Sequence, residues 1–335
     1  MRKLVAKLLN TSILAMALIN AVQAQEKVTA LRLDTNPIIQ PIMLSGEDGN
    51  NINGPSLIKV PDWIENPLGK YYLYFAHHTG KYIRLAYADD INGPWEIYEP
   101  GTLKMEDCDC SDVKNGPPNH VASPDIHIDD VNRSIVMYYH CPVLLNKEER
   151  PLFDQDQVTM RATSRDGLSF VSEDKKLGDF YFRVFKWNEY YYAIARLGLL
   201  YRSKDGIGDF EKGPNPFEKL NLEAQFRHSA VLVKDDILYV FYSRIGDMPE
   251  RILLSKIPLT ADWSTWIPTD PITVLEPEPD YEGGNLPLTV SKMGASNAPV
   301  RELRDPAIFE ENGKIYLLYS IAGELGIAIA ELIIE

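Results

Sequence analysis

Cysteine is scarce in this chain, with three residues among 335, at positions 108, 110 and 141. Their spacing matches no zinc-binding pattern, which argues against a small zinc-stabilised fold. After residue 24, no apolar run approaches the roughly 20 residues that a membrane-spanning helix needs. Amphipathic stretches longer than about ten residues are also missing. These absences disfavour helical and multi-span membrane architectures.

Positive charge is also in short supply, since 34 Lys and Arg face 48 Asp and Glu and give a formal net charge of −14. An acidic surface repels the phosphates of nucleic acids and the headgroups of anionic membranes. We therefore expect neither nucleic acid nor a membrane surface as a partner. No metal-ligand set stands out in the sequence, and we predict neither a metal nor another cofactor.

The first 24 residues have the composition of a signal peptide. Three basic residues precede an apolar run over residues 8–21, and Val22-Gln23-Ala24 forms a small-residue cleavage site. The alternative, an uncleaved membrane anchor, is disfavoured because the run is short and interrupted by polar residues. We predict an exported protein, periplasmic or secreted, with one mature domain over residues 25–335 and no membrane insertion after cleavage.

Export permits a disulfide bond. Cys108 and Cys110 are too close in sequence to pair easily with each other, so Cys141 is expected to pair with one of them. Three free thiols are the alternative.

One pattern recurs five times along the chain: an apolar strand, a tight polar turn such as Glu311-Asn312-Gly313, a tyrosine-rich strand and a third strand. The tyrosine-rich strands cover residues 71–75, 135–139, 190–194, 238–242 and 315–319. A repeat built only from strands and turns, with a period of roughly 50 to 75 residues, is typical of β-propellers. The sequence therefore predicts an all-β, five-bladed β-propeller with a central funnel.

An aromatic residue follows each of the first four third strands, and we expect it to pack between neighbouring blades. These residues are Trp95, Phe170, Phe210 and Trp263. Two long insertions, over residues 98–121 and 268–301, interrupt the repeat, and long loops in compact domains are often functional. The segment Asn36-Pro37-Ile38-Ile39 precedes the first blade and is expected to close the ring or to line the funnel.

Aligning the five first strands predicts which residues face the funnel. Position one holds Gly54, Ser123, Tyr181, His228 and Asp305. Position three holds Ser56, Asp125, Arg183, Ala230 and Ala307. Because strand side chains alternate, we expect both positions to share one face and to surround one pocket.

The ends of the second strands and the flanks of the first strands add histidines and arginines to this mouth. We assign to substrate binding Ser56, His77, His78, His120, His140, Arg183, Arg196, Arg227, Arg244, Glu282 and Arg304. Arginine binds carboxylate and sulfate groups through a planar fork, which suggests an acidic saccharide. The alternative is that these arginines neutralise the protein's own carboxylates.

Three residues are candidates for catalysis. Asp125 and Asp305 could form the carboxylate pair that flanks a glycosidic bond during hydrolysis. His228 could be a proton donor, since its ordinary pKa lies near neutrality. Structural alternatives are an inter-blade ion pair for Asp305 and a buried structural role for His228.

The repeat resembles the five-bladed propeller glycosidases, the group around glycoside hydrolase families 43, 32, 117 and 130. The segments that carry the resemblance are Asn36–Ile39, Arg304-Asp305-Pro306, the hairpin over residues 69–75 and the Gly-Pro-Trp element within residues 88–95. The resemblance covers essentially the whole mature chain. It implies a propeller fold, and we carry over neither a catalytic role nor a substrate from it.

Two positions depart from the family 43 pattern. Family 43 places an Asp-Pro general base on the first blade, where this chain has Gly54-Pro55-Ser56. It also places a glutamic acid on the fourth blade, where this chain reads Arg227-His228-Ser229. Family 117 is similar in using a histidine as general acid, which His228 could match.

Three functions therefore stand side by side. The first is an exo-acting glycoside hydrolase on an oligosaccharide, one candidate class being uronate- or sulfate-bearing. The second is a polysaccharide lyase, in which a base removes the proton next to a uronate carboxylate that Arg or His neutralises. The third is a sugar-binding propeller without catalysis. A lyase product carries a conjugated, ultraviolet-absorbing double bond, and a hydrolase product does not.

Overall fold

The computed structural model of this protein describes residues 27–111, 113, 119–220 and 225–335. The predicted signal peptide lies outside this range. The described chain forms 21 strands in five sheets around one axis, so the predicted all-β, five-bladed propeller is confirmed. Within the described ranges no helix is long and apolar enough to cross a membrane.

The strands follow the chain from blade to blade. Strand β1 covers Val28–Arg32. Blade one holds β2 (Asn53–Lys59), β3 (Tyr71–Ala76), β4 (Tyr82–Ala88), β5 (Glu96–Ile97) and β6 (Leu103–Lys104). Blade two holds β7 (Ala122–Asp129), β8 (Ser134–Pro142), β9 (Gln157–Ser164) and β10 (Val171–Asp179). Blade three holds β11 (Arg183–Trp187), β12 (Tyr190–Ile194), β13 (Leu200–Ser203) and β14 (Glu211–Lys212). Blade four holds β15 (Phe226–Lys234), β16 (Ile237–Arg244), β17 (Ile252–Pro258) and β18 (Ile272–Leu275). Blade five holds β19 (Arg304–Glu311), β20 (Lys314–Ser320) and β21 (Ile327–Ile334).

Strand β1 closes the ring, because it pairs with β21 and becomes the outermost strand of blade five. The Asn36 side chain then accepts a hydrogen bond from the Ile329 amide at 2.9 Å and donates one to the Ile329 carbonyl at 2.8 Å. Ile39 forms a β-bridge with Ile327. Of the two roles expected for residues 36–39, the structure shows ring closure, which removes a free sheet edge.

Aromatic residues after the third strands pack against the preceding blade, as the repeat predicts. Phe170 lies edge-on to Tyr74 at 5.8 Å between ring centres, and Trp263 lies edge-on to Tyr192 at 5.9 Å. Edge-to-face pairs add to the stability that burial of the rings already gives. Packing between blades therefore depends on the repeated aromatic residues. The starts of the innermost strands do not contribute these residues and can carry polar side chains.

A disulfide joins Cys110 to Cys141, with 5.7 Å between their Cα atoms. The disulfide ties the insertion after blade one to strand β8. It is one of the two pairings expected for Cys141. Cys108 keeps a free thiol, and burial raises its pKa to about 11. The thiol is therefore protonated and unreactive at neutral pH.

Candidate functional site

The entrance of the innermost strands is irregular. Strand pairing shifts register between Ala122 and Asp125, and at the equivalent places in β2, β15 and β19. Four of the five position-one residues have a left-handed backbone, with φ values of 59° (Gly54), 51° (Ser123), 71° (Tyr181) and 48° (Asp305). Only glycine adopts this conformation without strain, so the surrounding fold must hold the other three in place.

This β-bulge separates positions one and three, which were expected to share a face. An extra residue in a strand interrupts the alternation of side chains and turns the bulged residue in another direction. The funnel is consequently divided into two cavities, which we call the upper and lower chambers. The upper chamber, of about 100 Å³, is lined by Asn53, His78, Thr79, His120, Ala122, Ser123, His140, Gln157, Tyr181 and His228. The lower chamber, of about 170 Å³, is lined by residues 55–57, 125–127, 183–184, 230–231 and 307–308.

Arg183 is held at the level between the chambers. Its guanidinium donates hydrogen bonds to the carbonyls of Ser229 at 3.0 Å, Ser123 at 3.3 Å and Pro124 at 3.4 Å. The side chain is buried and links the innermost strands of blades two, three and four. Arg183 was expected to bind substrate, but its guanidinium mainly holds three blades together.

His228 and Asp305 form a buried pair at the wall of the upper chamber. The Nδ1 atom of His228 contacts Oδ1 of Asp305, and the side chains are 10% and 1% exposed. Ser320 donates a hydrogen bond to Oδ2 of Asp305 at 3.2 Å. Burial, followed by the charges of Arg183 and Arg227, lowers the pKa of His228 well below its ordinary value. The imidazole is therefore neutral at neutral pH, with Asp305 placed to hold the Nδ1–H tautomer.

His78 and Glu324 form a second histidine–carboxylate pair at the same chamber. Nδ1 of His78 lies 3.6 Å from Oε2 of Glu324, which also accepts hydrogen bonds from Asn51 at 2.6 Å and Asn53 at 3.1 Å. Burial alone would raise the pKa of Glu324, but His78, Arg304 and Asn51 together hold it well below its ordinary range. An ionised carboxylate therefore lies behind His78.

A third group of rings lies between these pairs. His140 is edge-on to Tyr181 at 4.7 Å and to His120 at 5.4 Å, and Tyr181 in turn is edge-on to His228 at 4.0 Å. Burial and the neighbouring histidines lower the pKa of His140 well below its ordinary value. Four of the six histidines in the sequence thus line one small chamber.

These histidines do not form a metal centre. Within the described ranges, no group of three or more His, Cys, Asp or Glu side chains is arranged to hold a metal ion. The chemistry that the upper chamber offers is proton transfer, because a neutral imidazole can accept a proton and a protonated imidazole beside a carboxylate can donate one.

A buried charge cluster underlies the upper chamber. Arg304 contacts Glu302 and lies 2.9 Å from Oε1 of Glu324 and 3.5 Å from Oε2 of Glu250. Arg227 contacts Glu250 at 2.8 Å. All five side chains are almost fully buried. Arg227 and Arg304 were assigned to substrate binding, but the structure shows the alternative, in which they neutralise the protein's own carboxylates.

The remaining arginines give little support to an acidic substrate. Arg244 pairs with Asp247 at 2.9 Å. Arg196 lies over the ring of Phe180, 5.4 Å from its centre, and Phe180 is itself next to His140. Arg196 therefore differs from the other arginines named from the sequence: it contacts an aromatic ring, whereas they contact carboxylates or backbone carbonyls.

Four other predicted residues lie away from the upper chamber. Asp125 is in the lower chamber, where it accepts hydrogen bonds from the Val184 amide at 2.8 Å and contacts His127 at 2.9 Å. Ser56 accepts one from the Ile126 amide at 3.0 Å, also in the lower chamber. The structure thus places Asp125 at the lower chamber and Asp305 behind His228 at the upper chamber, and it does not bring the two carboxylates to one cavity as expected.

The other two predicted residues make local contacts. His77 accepts a hydrogen bond from the Thr79 amide at 3.0 Å. Glu282 is fully buried and accepts hydrogen bonds from Arg32 at 2.7 Å and from the Tyr319 hydroxyl at 2.8 Å. Glu282 therefore fastens the second insertion to the ring closure.

Some residues of the site were not assigned from the sequence. Glu250, Glu302 and Glu324 lie in connections outside the repeated strands, where the alignment of blades gives no position for them. Tyr181 stood at position one without an assigned role, and burial raises its pKa to about 12. Asn53 directly precedes the left-handed Gly54, and this glycine is the signal that could have located it.

Comparison with known proteins shows the family of the chain. No protein-family model matches the chain. An uncharacterized protein of Acanthamoeba polyphaga mimivirus is 37% identical over 340 residues, covering 94% of this chain and 94% of the viral protein. The chain belongs to the same family as this viral protein.

Solved structures confirm the predicted resemblance to family 43 and related five-bladed propeller glycoside hydrolases. A GH43 β-xylosidase/α-arabinofuranosidase from a compost metagenome, in complex with xylotriose, has a TM-score of 0.54 at 14% identity over 85% of this chain and 91% of that chain. The GH43_1 enzyme from Xanthomonas citri, also with xylotriose, has 0.54 at 12% over 85% and 86%. An N-acetylgalactosamine deacetylase from F. plautii, in complex with blood group B trisaccharide, has 0.52 at 9% over 91% and 95%. At such identities the likeness establishes the fold.

Proposed function

We propose that this protein is a glycoside hydrolase that cleaves the terminal unit of an oligosaccharide held in the upper chamber. The observation that carries the proposal is the convergence of two pairs, His228–Asp305 and His78–Glu324, on one cavity of a glycosidase-like propeller. Glycoside hydrolysis needs one group that takes a proton from water and another that gives a proton to the leaving oxygen. Two separately oriented imidazoles can divide these roles.

His228 is the general base in this proposal. Its lowered pKa leaves the imidazole neutral, and Asp305 fixes Nδ1 as the protonated nitrogen. Among the described residues Nε2 of His228 has no hydrogen-bond partner. This nitrogen can accept a proton from a water molecule as the water oxygen attacks the anomeric carbon. Asp305 then stabilises the imidazolium that forms.

His78 is the general acid in this proposal. Its imidazole is partly exposed at the chamber and is backed by the ionised Glu324. As the bond between the anomeric carbon and the leaving oxygen breaks, His78 delivers a proton to that oxygen. Afterwards His228 releases the proton it took to solvent and His78 takes up a proton from solvent, which restores both imidazoles for the next turnover.

The shape of the chamber favours attack at a chain end. Arg183, bound to the carbonyl of Ser123, lies below it, and its volume of about 100 Å³ admits no more than one sugar unit. A blind cavity accepts the end of a chain and excludes its middle. We therefore propose an exo-acting enzyme.

We propose a neutral sugar at this end. Arg183, Arg227 and Arg304, which had suggested a uronate or a sulfate, are bound to protein carbonyls and carboxylates. A buried cation that already has an anionic partner gains little from a second one. Neutral hydroxyl groups suit the amide and imidazole side chains of the chamber better.

Export to the periplasm or the medium also remains a proposal. The basic and apolar pattern of residues 1–24 supports it. The disulfide between Cys110 and Cys141 adds support, since such bonds persist mainly in oxidising compartments.

A polysaccharide lyase is the second candidate, because the ionisable side chains that line the upper chamber are histidines and Tyr181, and none is a carboxylate. A lyase would need a cation to neutralise the uronate, and the paired arginines weigh against it.

The test is incubation of the protein with a panel of neutral and uronate-containing oligosaccharides, including xylotriose. Release of a terminal sugar without ultraviolet absorbance is the expected result, and it should disappear in His228→Ala. A product with a conjugated double bond would establish the lyase instead. Binding of a panel sugar without any product would establish a non-catalytic sugar-binding propeller.

A further inference from the structure

The lower chamber adjoins a larger cavity on the opposite face of the propeller. A groove of about 570 Å³ lies between blades two and three, near the ends of their first strands. His127 and Val184 line both this groove and the lower chamber, so the groove leads toward the axis. This volume is typical of small-molecule binding sites, and it is several times that of the upper chamber.

The inner end of this cavity carries an unused donor beside a charged acceptor. Nη2 of Arg183 has no hydrogen-bond partner among the described residues, although the side chain is only 4% exposed. Asp125 lines the same chamber. His127 and Arg183 outweigh the effect of burial and lower the pKa of Asp125, so its carboxylate is ionised at neutral pH. A donor and an acceptor side by side complement a pair of hydroxyl groups.

The groove itself combines rings with polar side chains. Tyr138, Phe185 and Tyr191 contribute aromatic surface, and Lys186 lies over the Tyr191 ring at 5.3 Å. Nε of Arg161, on the same wall, is buried and has no partner within the described ranges. Aromatic surface edged by hydrogen-bonding groups is what the apolar faces and hydroxyls of a sugar require.

The carboxylates at the rim are largely occupied by the protein. Asp129 accepts hydrogen bonds from the Asn132 amide and side chain, at 3.0 and 2.8 Å. Asp205 accepts them from the amides of Ile207 at 2.8 Å and Gly208 at 3.1 Å. These carboxylates stabilise turns. Arg161 contacts Glu173 and His127 contacts Asp125, so Lys186 is the cation of the groove that has no carboxylate partner among the described residues.

We propose that the groove and the lower chamber form a second, non-catalytic binding site for a neutral oligosaccharide. Asp125 and Arg183 bind a hydroxyl pair at the inner end, and Tyr191 contacts the next sugar in the groove. A small anion is a poorer occupant, because the ionised Asp125 lies in the same chamber as the free Nη2 of Arg183. The site would keep the protein on a glycan while the upper chamber acts on chain ends.

The experiment is a glycan array of neutral oligosaccharides that includes xylotriose, followed by calorimetric titration of the best binder, with inorganic sulfate titrated alongside. Tyr191→Ala and the exposed Lys186→Ala test the groove, and His228→Ala tests the upper chamber. Tyr87→Ala, a half-buried strand tyrosine in blade one, is the matched control. Lys186→Ala removes an exposed side chain and so keeps the test valid if Tyr191→Ala fails to fold.

The expected result is a neutral oligosaccharide whose binding persists in His228→Ala and in Tyr87→Ala. In Tyr191→Ala it should weaken about tenfold, the loss usual for truncating a principal contact residue, and Lys186→Ala should weaken it in the same direction. The proposal is overturned if no neutral glycan binds, if only sulfate binds, or if binding responds to His228→Ala alone. Binding that responds to His228→Ala alone would contradict the groove site without contradicting the proposed hydrolase. Loss of activity with retained binding in the groove would support the groove site as a separate site.

Discussion

The two chambers on the propeller axis are built from the same five strands, yet they differ in chemistry. The upper chamber is lined by the position-one residues Ser123 and Tyr181, which have left-handed backbones, and by His228, which is backed by Asp305. The lower chamber collects position-three residues, among them the hydrogen-bonded Asp125 and two alanines. Strained backbone is maintained where side chains must point in an unusual direction. This difference is the reason for assigning the proposed acid/base chemistry to the upper chamber.

The same comparison explains why one aspartate is a better catalytic candidate than the other. Asp305 is paired with an imidazole that lines the upper chamber. Asp125 is paired with His127 and with a backbone amide, and Arg183 lies between it and the upper chamber. Position in the repeat alone does not distinguish the two residues, whereas their hydrogen-bond partners do.

The largest expected effect is on turnover. His228→Ala and Asp305→Asn should each lower kcat/KM about 10²–10⁴-fold, the usual contribution of a general acid or base. Asp125→Asn should leave kcat/KM near the wild-type value, because Arg183 separates it from the upper chamber. Steady-state kinetics on a sugar that the native protein cleaves measures both effects, and thermal melting shows that each variant is folded. Equal losses in Asp125→Asn and His228→Ala would contradict the division into two chambers.

Local sequence patterns predicted most of the fold. Tyrosine-rich second strands such as Tyr71–Phe75 alternate with turns, and this periodicity is enough to identify blades. Phe170 and Trp263 follow the third strands at a fixed place, so their inter-blade packing could also be predicted. The closing role of Asn36 was one of two alternatives, since its partner Ile329 lies at the other end of the chain.

The site was predictable only in part, for two physical reasons. Alternation cannot reveal a bulge, because Ser123 and Asp125 look like residues of one regular strand until the register shift is seen. Long-range ion pairs are also invisible in sequence: Glu250 and Glu324 lie outside the repeat and meet Arg304 only in the folded ring. In the sequence, Arg227 and Arg304 therefore looked like unpaired groups that could bind a substrate.

The second expected effect concerns stability beneath the upper chamber. Arg304→Met removes the cation that three buried glutamates share, and breaking a buried ion pair typically costs about 3–5 kcal/mol. Lys314→Met, which removes a largely exposed pair with Glu331, should cost about 0–1 kcal/mol. Denaturant unfolding of both variants measures the difference. Similar small losses of unfolding free energy in the two variants would mean that the buried charge cluster does not stabilise the fold around the upper chamber.

The smallest expected effect concerns the lower chamber. At neutral pH, Asp125→Asn should lower the free energy of unfolding by about 1–3 kcal/mol, because the ionised carboxylate holds His127 and the Val184 amide. The pKa of Asp125 is lowered in the folded protein, so its stabilisation is complete above the ordinary pKa of an aspartate and is lost as pH falls through the folded value.

The difference between wild type and Asp125→Asn should therefore shrink as the solution is acidified, which a series of denaturant titrations from neutral to acidic pH measures. Asp62→Asn, a change of an exposed aspartate in blade one, is the control and should show a smaller difference at every pH. A difference for Asp125→Asn that stayed constant into acid would mean that packing of the side chain, and not its charge, matters in the lower chamber. The carboxylate would then be a poor partner for a hydroxyl pair, and the second binding site would lose its inner anchor.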